Sequence, residues 1–315
     1  MAYKIIEGDR KEAILSRLRQ TDIYMAIYEL HEEKNAPIDV LCDIADIPRS
    51  SYYKWISRVT PDSEVANLKI AELIKQIHKE DPSKGYRRIK DDLYRDHGLN
   101  VNDKRVLRIC RAIGIRSNIK YNCNGCTVND RNPAHVAENI LNREFAAEAP
   151  NEKWVTDVTE FKYYINGEKH KIYLSAILDL FDRRVVAYEI GDSNNNHLVF
   201  QNFDHAISLY PDAQPIFHSD RGFQYTNATF HHKLTEAGMT QSMSRVGKCL
   251  DNGPMEGFWG ILKREKYYGI RFESKDELIT TISTYIDYYN NRRYQRCLGV
   301  LTPVEKHRQY YEMAA

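Results

Sequence analysis

Up to about residue 120 the apolar positions recur at three- and four-residue spacing, and no run alternates long enough to read as a strand. Ile14, Leu18, Ile23, Ile27 and Leu30 form one such stripe. Residues 38–55 then read as a short apolar helix, a break at Asp46-Ile47-Pro48, and a second helix opening on Arg49-Ser50-Ser51. That is helix-turn-helix grammar. Pro48 suits a turn or a first helical position, and Ser50 or Ser51 offers a cap for the first-turn amides. On this reading Arg49, Ser51, Tyr52 and Lys54 are the candidates to face phosphates or base edges. Pro61-Asp62 marks a boundary. A second helical unit follows, with helices over Leu68–Lys79, Tyr86–His97 and Asn102–Ile113 and a break from Pro82 to Gly85. Asn102 or Asp103 caps the last helix, whose Lys104, Arg105, Arg108 and Arg111 largely share a face. With Arg87 and Arg88 in the helix before, they make a second set of candidate DNA contacts.

Residues 121–150 are Asn-rich and irregular and read as a linker with a short helix. Beyond Asn151 the pattern changes. Lys153–Phe161, His170–Leu180 and Arg184–Ile190 are rich in β-branched and aromatic residues and read as three strands. A helix over Asn196–Tyr210, a strand over Gln214–His218, a helix over Asn227–Ala237 and a strand over Thr240–Ser244 come next. Two long helices, Pro254–Lys266 and Asp276–Asn291, lead to the C-terminal segment. Three sequential strands, then helix, strand, helix, strand, helix, is the order of an α/β RNase H-like fold. The expected organisation is a helix-turn-helix region over 1–60, a second DNA-binding module over 61–120, a linker over 121–150 and a catalytic domain over 151–315.

Composition narrows the class. The chain has 315 residues, 42% hydrophobic and 28% charged, as in an ordinary globular protein. No stretch approaches the roughly 18 consecutive apolar residues of a membrane span, and the charged N-terminus has no apolar block. We therefore expect no membrane partner and a cytoplasmic, nucleoid-associated protein. The six cysteines show no framework spacing. Cys123-Asn-Gly-Cys126 lacks the second ligand pair that a structural zinc needs, so it reads as two thiols in a loop. Net charge is only +1, yet residues 61–125 hold 14 Lys/Arg against 9 Asp/Glu. A basic middle beside a mildly acidic remainder fits a DNA-binding segment joined to a carboxylate-bearing one.

Three acids stand out by their settings. Asp157 lies inside an apolar strand, Asp220 follows the strand Pro215-Ile216-Phe217, and Glu256 sits early in a helix with Pro254 near its start. Burying a carboxylate is costly unless it binds a metal or is paired. Three converging carboxylates repel one another unless cations neutralise them. Such a set can hold two Mg²⁺ or Mn²⁺ ions about 3.5–4 Å apart, one activating the attacking oxygen and one steadying the leaving oxygen.

The segments Trp154-Val155-Thr156-Asp157-Val158-Thr159, His218-Ser219-Asp220-Arg221-Gly222 and Asp251-Asn252-(x)3-Glu256-(x)6-Lys263 resemble the retroviral-integrase-like catalytic core. Within it they are most similar to bacterial insertion-sequence transposases encoded in two overlapping frames. The tail Tyr289-Asn290-Asn291-Arg292-Arg293 and the earlier Gly85-Tyr86-Arg87-Arg88-Ile89 resemble further signatures of that family. The resemblance spans roughly residues 38 to 308. It implies that Asp157, Asp220 and Glu256 are the metal ligands and catalytic triad. It also implies that Lys263 contacts the element's terminal DNA and that Asn252 supports the site, although Asn252 also reads as a turn residue. Asp179 and Asp182 occupy no motif position and are expected at strand ends or turns. The implied partners are double-stranded DNA, as terminal inverted repeats and as target, and further copies of the chain. The implied chemistry is 3′-end cleavage and strand transfer without a nucleophilic Tyr or Ser. The family's usual upstream leucine zipper has no counterpart here, since no sustained heptads are visible. The chain thus reads as a downstream-frame product, and a DNA-binding regulator with a catalytically inert core is the alternative.

Overall fold

The computed structural model describes residues 22–59, 61–119 and 135–314. The chain divides into two units, Met1–Ile70 and Ala71–Ala315, with the division inside helix α4 (Asp62–Glu80). Among the described residues no helix is long and apolar enough to cross a membrane.

In the first unit, helix α1 occupies residues 22–34, followed by α2 (Ile38–Ile44) and α3 (Arg49–Ile56). The break between α2 and α3 is made by Asp46, at φ +53°. Aspartate tolerates this left-handed backbone better than most residues. Pro48 stands at the N-cap, and no side chain caps α3, so the expected Ser50 or Ser51 cap is not formed. Both serines lie inside the helix. Ile27, Cys42 and Tyr52 form the core, with Tyr24, Leu41 and Trp55 packed against them. The Ile14 and Leu18 end of the N-terminal stripe lies outside the described residues.

The second unit opens on the rest of α4 and continues with α5 (Tyr86–Arg95) and α6 (Asp103–Ala112). Asn102 caps α6 as expected, its side chain accepting from the Lys104 amide. The Cys123 and Cys126 pair lies outside the described residues, and the described linker residues 135–149 contain no helix. The sheet follows: β1 (Lys153–Ile165), β2 (Glu168–Asp179), β3 (Val185–Gly191), β4 (Ile216–Ser219) and β5 (Thr240–Met243), in the order β3-β2-β1-β4-β5. β1–β2 and β2–β3 are antiparallel, while β1–β4 and β4–β5 are parallel. Helices α7 (Asn196–Leu209), α8 (Ala228–Glu236), α9 (Gly253–Lys266), α10 (Lys275–Asn291) and α11 (Pro303–Ala314) complete the unit. This is the RNase H-like, integrase-core arrangement, preceded by an all-helical region.

The β1–β2 hairpin is longer than the pattern of its apolar residues predicts. Its turn is Asn166-Gly167, with φ of +52° and +86°. A tight two-residue hairpin of type I′ needs positive φ at both positions, which Asn-Gly supplies. The strands therefore pair as far as Ile165 and Glu168. Successive side chains point to opposite faces, and the sheet is covered on both. Val155, Phe161 and Leu174 pack with Phe258 and Leu262 of α9 and Ile282 of α10. Trp154, Ile177 and Val186 pack with Phe203 of α7 and Phe230 of α8.

Candidate active site

Register brings the two aspartates together. In the parallel pair of β1 and β4, Val155 stands opposite His218. Continued by two residues, that register sets Asp157 beside Asp220, just past the end of β4. Neighbouring strands lie about 4.8 Å apart, so the two residues adjoin. Asp157 belongs to the same strand face as Val155 and Phe161, the face that α9 covers.

The Asp157 carboxylate accepts from the Val158 amide through Oδ1 (2.8 Å) and from the Trp259 indole N–H through Oδ2 (3.0 Å). Its pKa is pushed up to about 7, first by burial, then by the charge of Asp220 and more weakly by that of Glu256. Asp220 is also raised by burial, against the Gly222 amide that donates to its Oδ1 (2.8 Å). A Cβ added at Gly222 would fall 3.0 Å from that same Oδ1. A larger residue there would push the carboxylate aside. Among the described residues neither aspartate forms an ion pair with a Lys or Arg.

Helix α9 is laced to β1 by one face. Asn252, at its N-cap, donates from Nδ2 to the Thr156 carbonyl (3.0 Å). Trp259 reaches Asp157, Lys263 Nζ donates to Thr159 Oγ1 (2.6 Å), and the Tyr267 hydroxyl donates to the Lys162 carbonyl (3.2 Å). Residues 259, 263 and 267 recur every four positions, so they share a helix face. Glu256, one turn before Trp259, projects from the first turn of that helix and is exposed. The partial desolvation it keeps at the helix start raises its pKa. The structure thus brings Asp157 and Asp220 together with Glu256 nearby. Among the described residues no three carboxylate, imidazole or thiol groups are gathered closely enough to hold a metal ion as they stand.

The donor set nevertheless fits a hard cation. Two adjoining carboxylates repel, and oxygen ligands of this kind suit Mg²⁺ or Mn²⁺. The Asn252 Oδ1 is buried without a hydrogen-bond partner, another oxygen beside the site left unsatisfied by protein. Trp259 and Gly222 were not singled out by sequence reasoning. Trp259 lies three residues after Glu256, a spacing that could have placed it on the same helix face.

Asp179 and Asp182 build the β2–β3 turn, as expected. Asp179 accepts from the Asn151 and Phe181 amides, and Asp182 accepts from the Arg184 amide and bonds His307. Two expected DNA contacts need correction. Tyr52 is fully buried in the core of the first unit, because positions 52 and 55 continue its inward stripe. Tyr53, half exposed, stands on the outward side instead. Arg88 is turned inward to Asp81 (3.2 Å), Glu265 (3.0 Å) and the Tyr288 hydroxyl (2.8 Å). Arg49, Lys54, Arg87, Lys104 and Arg108 are exposed, while Ser51, Arg105 and Lys263 are partly covered. Lys263 also lies 5.1 Å from the Phe161 ring, and burial lowers its pKa against the pull of Asp157 and Glu160.

Comparison with known proteins gives three family matches: an integrase core domain over residues 147–249, an HTH-like domain over 66–122, and a second integrase core domain model over 256–310. The putative transposase InsK for insertion sequence element IS150 of Escherichia coli (strain K12) is 38% identical over 280 residues, 87% of this chain and 95% of that protein. An uncharacterized transposase-like protein of Haemophilus influenzae is 42% identical over 209 residues, 65% of this chain and 93% of its own. Among solved structures, the catalytic core domain of HTLV-2 integrase in complex with magnesium covers 51% of this chain and 98% of that one, at 22% identity and a TM-score of 0.39.

Proposed function

The chain belongs to the insertion-sequence transposases with an integrase core, and we propose that it cleaves the 3′ ends of its element and joins them to target DNA at Asp157, Asp220 and Glu256. The observation that carries this reading is the adjoining pair Asp157 and Asp220, partly buried carboxylates that, among the described residues, form no ion pair with a Lys or Arg. Glu256 completes the set. It is exposed on the first turn of α9, and in this reading its side chain turns toward the pair when DNA and cations bind.

Divalent cations, a pair of Mg²⁺ or Mn²⁺ in this reading, would supply charge neutralisation at the scissile phosphate and activation of the attacking oxygen. The chain's own residues do the positioning. The Val158 amide and Trp259 indole fix the Asp157 carboxylate, the Gly222 amide fixes Asp220, and Asn252 ties the start of α9 to β1. Lys263 lies two turns beyond Glu256 on the same helix face and neutralises a phosphate of the terminal DNA. In cleavage, a water oxygen bonds to phosphorus and the P–O3′ bond breaks, leaving a 3′-hydroxyl on the element. In joining, that 3′-oxygen bonds to a target phosphorus and displaces the target's own 3′-oxygen, so the number of phosphodiesters is conserved. No covalent protein–DNA intermediate is needed, and the catalytic contribution is positioning plus electrostatics.

Arg49, Ser51 and Lys54 in the first unit, and Arg87, Lys104, Arg105 and Arg108 in the second, supply phosphate and base contacts in this reading. Two ends must meet, so the working form is an oligomer on DNA, acting in the bacterial cytoplasm. The test is a labelled duplex carrying the element's terminal inverted repeat, incubated with the purified chain and Mg²⁺. We expect a nick at the 3′ end by the wild type and none by Asp220→Asn. No nick by either protein overturns the proposal.

A further inference from the structure

The second helical module is bound to the C-terminal helices by charged and polar side chains, within the one unit Ala71–Ala315. Arg88 of α5 reaches Glu265 of α9, which also accepts from Arg293 (2.8 Å) and the Tyr285 hydroxyl (2.9 Å). The Glu265 side chain is only 5% exposed. Arg296 forks between Asp91 of α5 (2.8 Å) and Asp103 of α6 (3.0 Å), and also donates to the Arg87 carbonyl (2.9 Å). The Tyr294 hydroxyl donates to Asp96 (2.6 Å), and Arg95 pairs with Glu305.

These contacts are unlike a loose tether. A bidentate arginine fixes orientation as well as distance, and a buried ion pair is strongly destabilised when one partner is removed. Asp103, the first residue of α6, is held by Arg296, while Lys104, Arg108 and Arg111 of the same helix are exposed. Spaced at four and three residues, those cations share an outward face. At the other end of the chain of contacts, Glu265 is nine residues from Glu256 on α9, about 14 Å along the axis at 1.5 Å per residue. The basic face of α6 and the catalytic glutamate are therefore parts of one braced body.

We propose that this ionic seam is a ruler: Arg88 and Arg296 are positioning residues that hold the basic face of α6 at a fixed span from Glu256, so that DNA gripped by α6 meets the carboxylates at a single phosphodiester. The inference rests on the cleavage reading given above. Arg88 then serves specificity without touching DNA, because its guanidinium is spent on Asp81 and Glu265.

The experiment maps cut positions at nucleotide resolution, using the full chain, Mg²⁺ and an end-labelled duplex with the terminal inverted repeat. The proteins are wild type, Arg88→Gln/Arg296→Gln and Arg296→Gln alone, with DNA affinity measured in parallel. We expect one cut position for wild type. For the double variant we expect cuts spread over neighbouring phosphodiesters at unchanged affinity, because a merely destabilised enzyme cuts more slowly but in the same place. If the double variant does not fold, Arg296→Gln carries the test, since its side chain is already 39% exposed. A single, unmoved cut position in the folded variants overturns the ruler and leaves the cleavage reading intact. Absence of cutting by wild type sinks the cleavage reading and the ruler with it.

Discussion

Trp259 gives Asp157 a neutral partner, the indole N–H, which leaves the carboxylate's charge to the cations that the proposed mechanism calls for. Groups that orient metal ligands in this way matter by about 10- to 100-fold in metal affinity. Trp259→Phe keeps the ring buried against Phe258 but deletes the donor. We expect weaker Mn²⁺ binding by electron paramagnetic resonance, on the order of 10-fold, and a matching rise in the Mg²⁺ needed for half-maximal cleavage. Unchanged Mn²⁺ binding would show that the hydrogen bond does not position the carboxylate. In the structure Asp157 adjoins Asp220 and Glu256 stands exposed nearby; in the sequence all three were conspicuous for an unusual setting at a motif position. Trp259 was not, since an aromatic residue beside Phe258 reads first as core. Tyr52 misled for the opposite reason: a tyrosine after two serines looks like a surface contact until Cys42 and Ile27 are seen around it.

At the level of elements, the strands and helices that carry the site follow from the apolar pattern, but their ends do not. The hairpin extends past Phe161 because Asn166-Gly167 supplies two positive φ angles, a local signal hidden among the charged residues Lys162, Glu168 and Lys169. The β2–β3 turn carries a pH dependence. Burial, and then the charge of Asp182, raises the Asp179 carboxyl to about 6, while two backbone amides oppose that rise. In the unfolded chain the same group titrates near its ordinary value of about 4. The folded chain thus holds a proton that the unfolded chain has released. The stability it contributes is full below about pH 4 and is lost as pH rises through about 6. Equilibrium unfolding across that window should show wild type losing stability relative to Asp179→Asn by a few kcal/mol. Parallel curves for the two proteins would contradict this.

Across the whole molecule, the sequence separates a helical, basic part from an α/β part, and the integrase core was recognisable from element order and motifs together. What it could not show is that a basic motif can be internal. Arg87 and Arg88 are neighbours of the same type, yet one is exposed and the other is braced against Glu265, a partner 177 positions away in the sequence. Long-range ion pairs leave no periodic trace, so the seam is visible only in the fold. The central claim is that Asp157, Asp220 and Glu256 act as one site for joining as well as cutting. It is tested most directly by giving the enzyme a pre-cut terminal-repeat duplex with a free 3′-hydroxyl, a plasmid target and Mg²⁺, then quantifying joined product. The account predicts joining by wild type and its loss in Asp157→Asn, Asp220→Asn and Glu256→Gln alike. Wild-type levels of joining by any one of the three folded variants would contradict it.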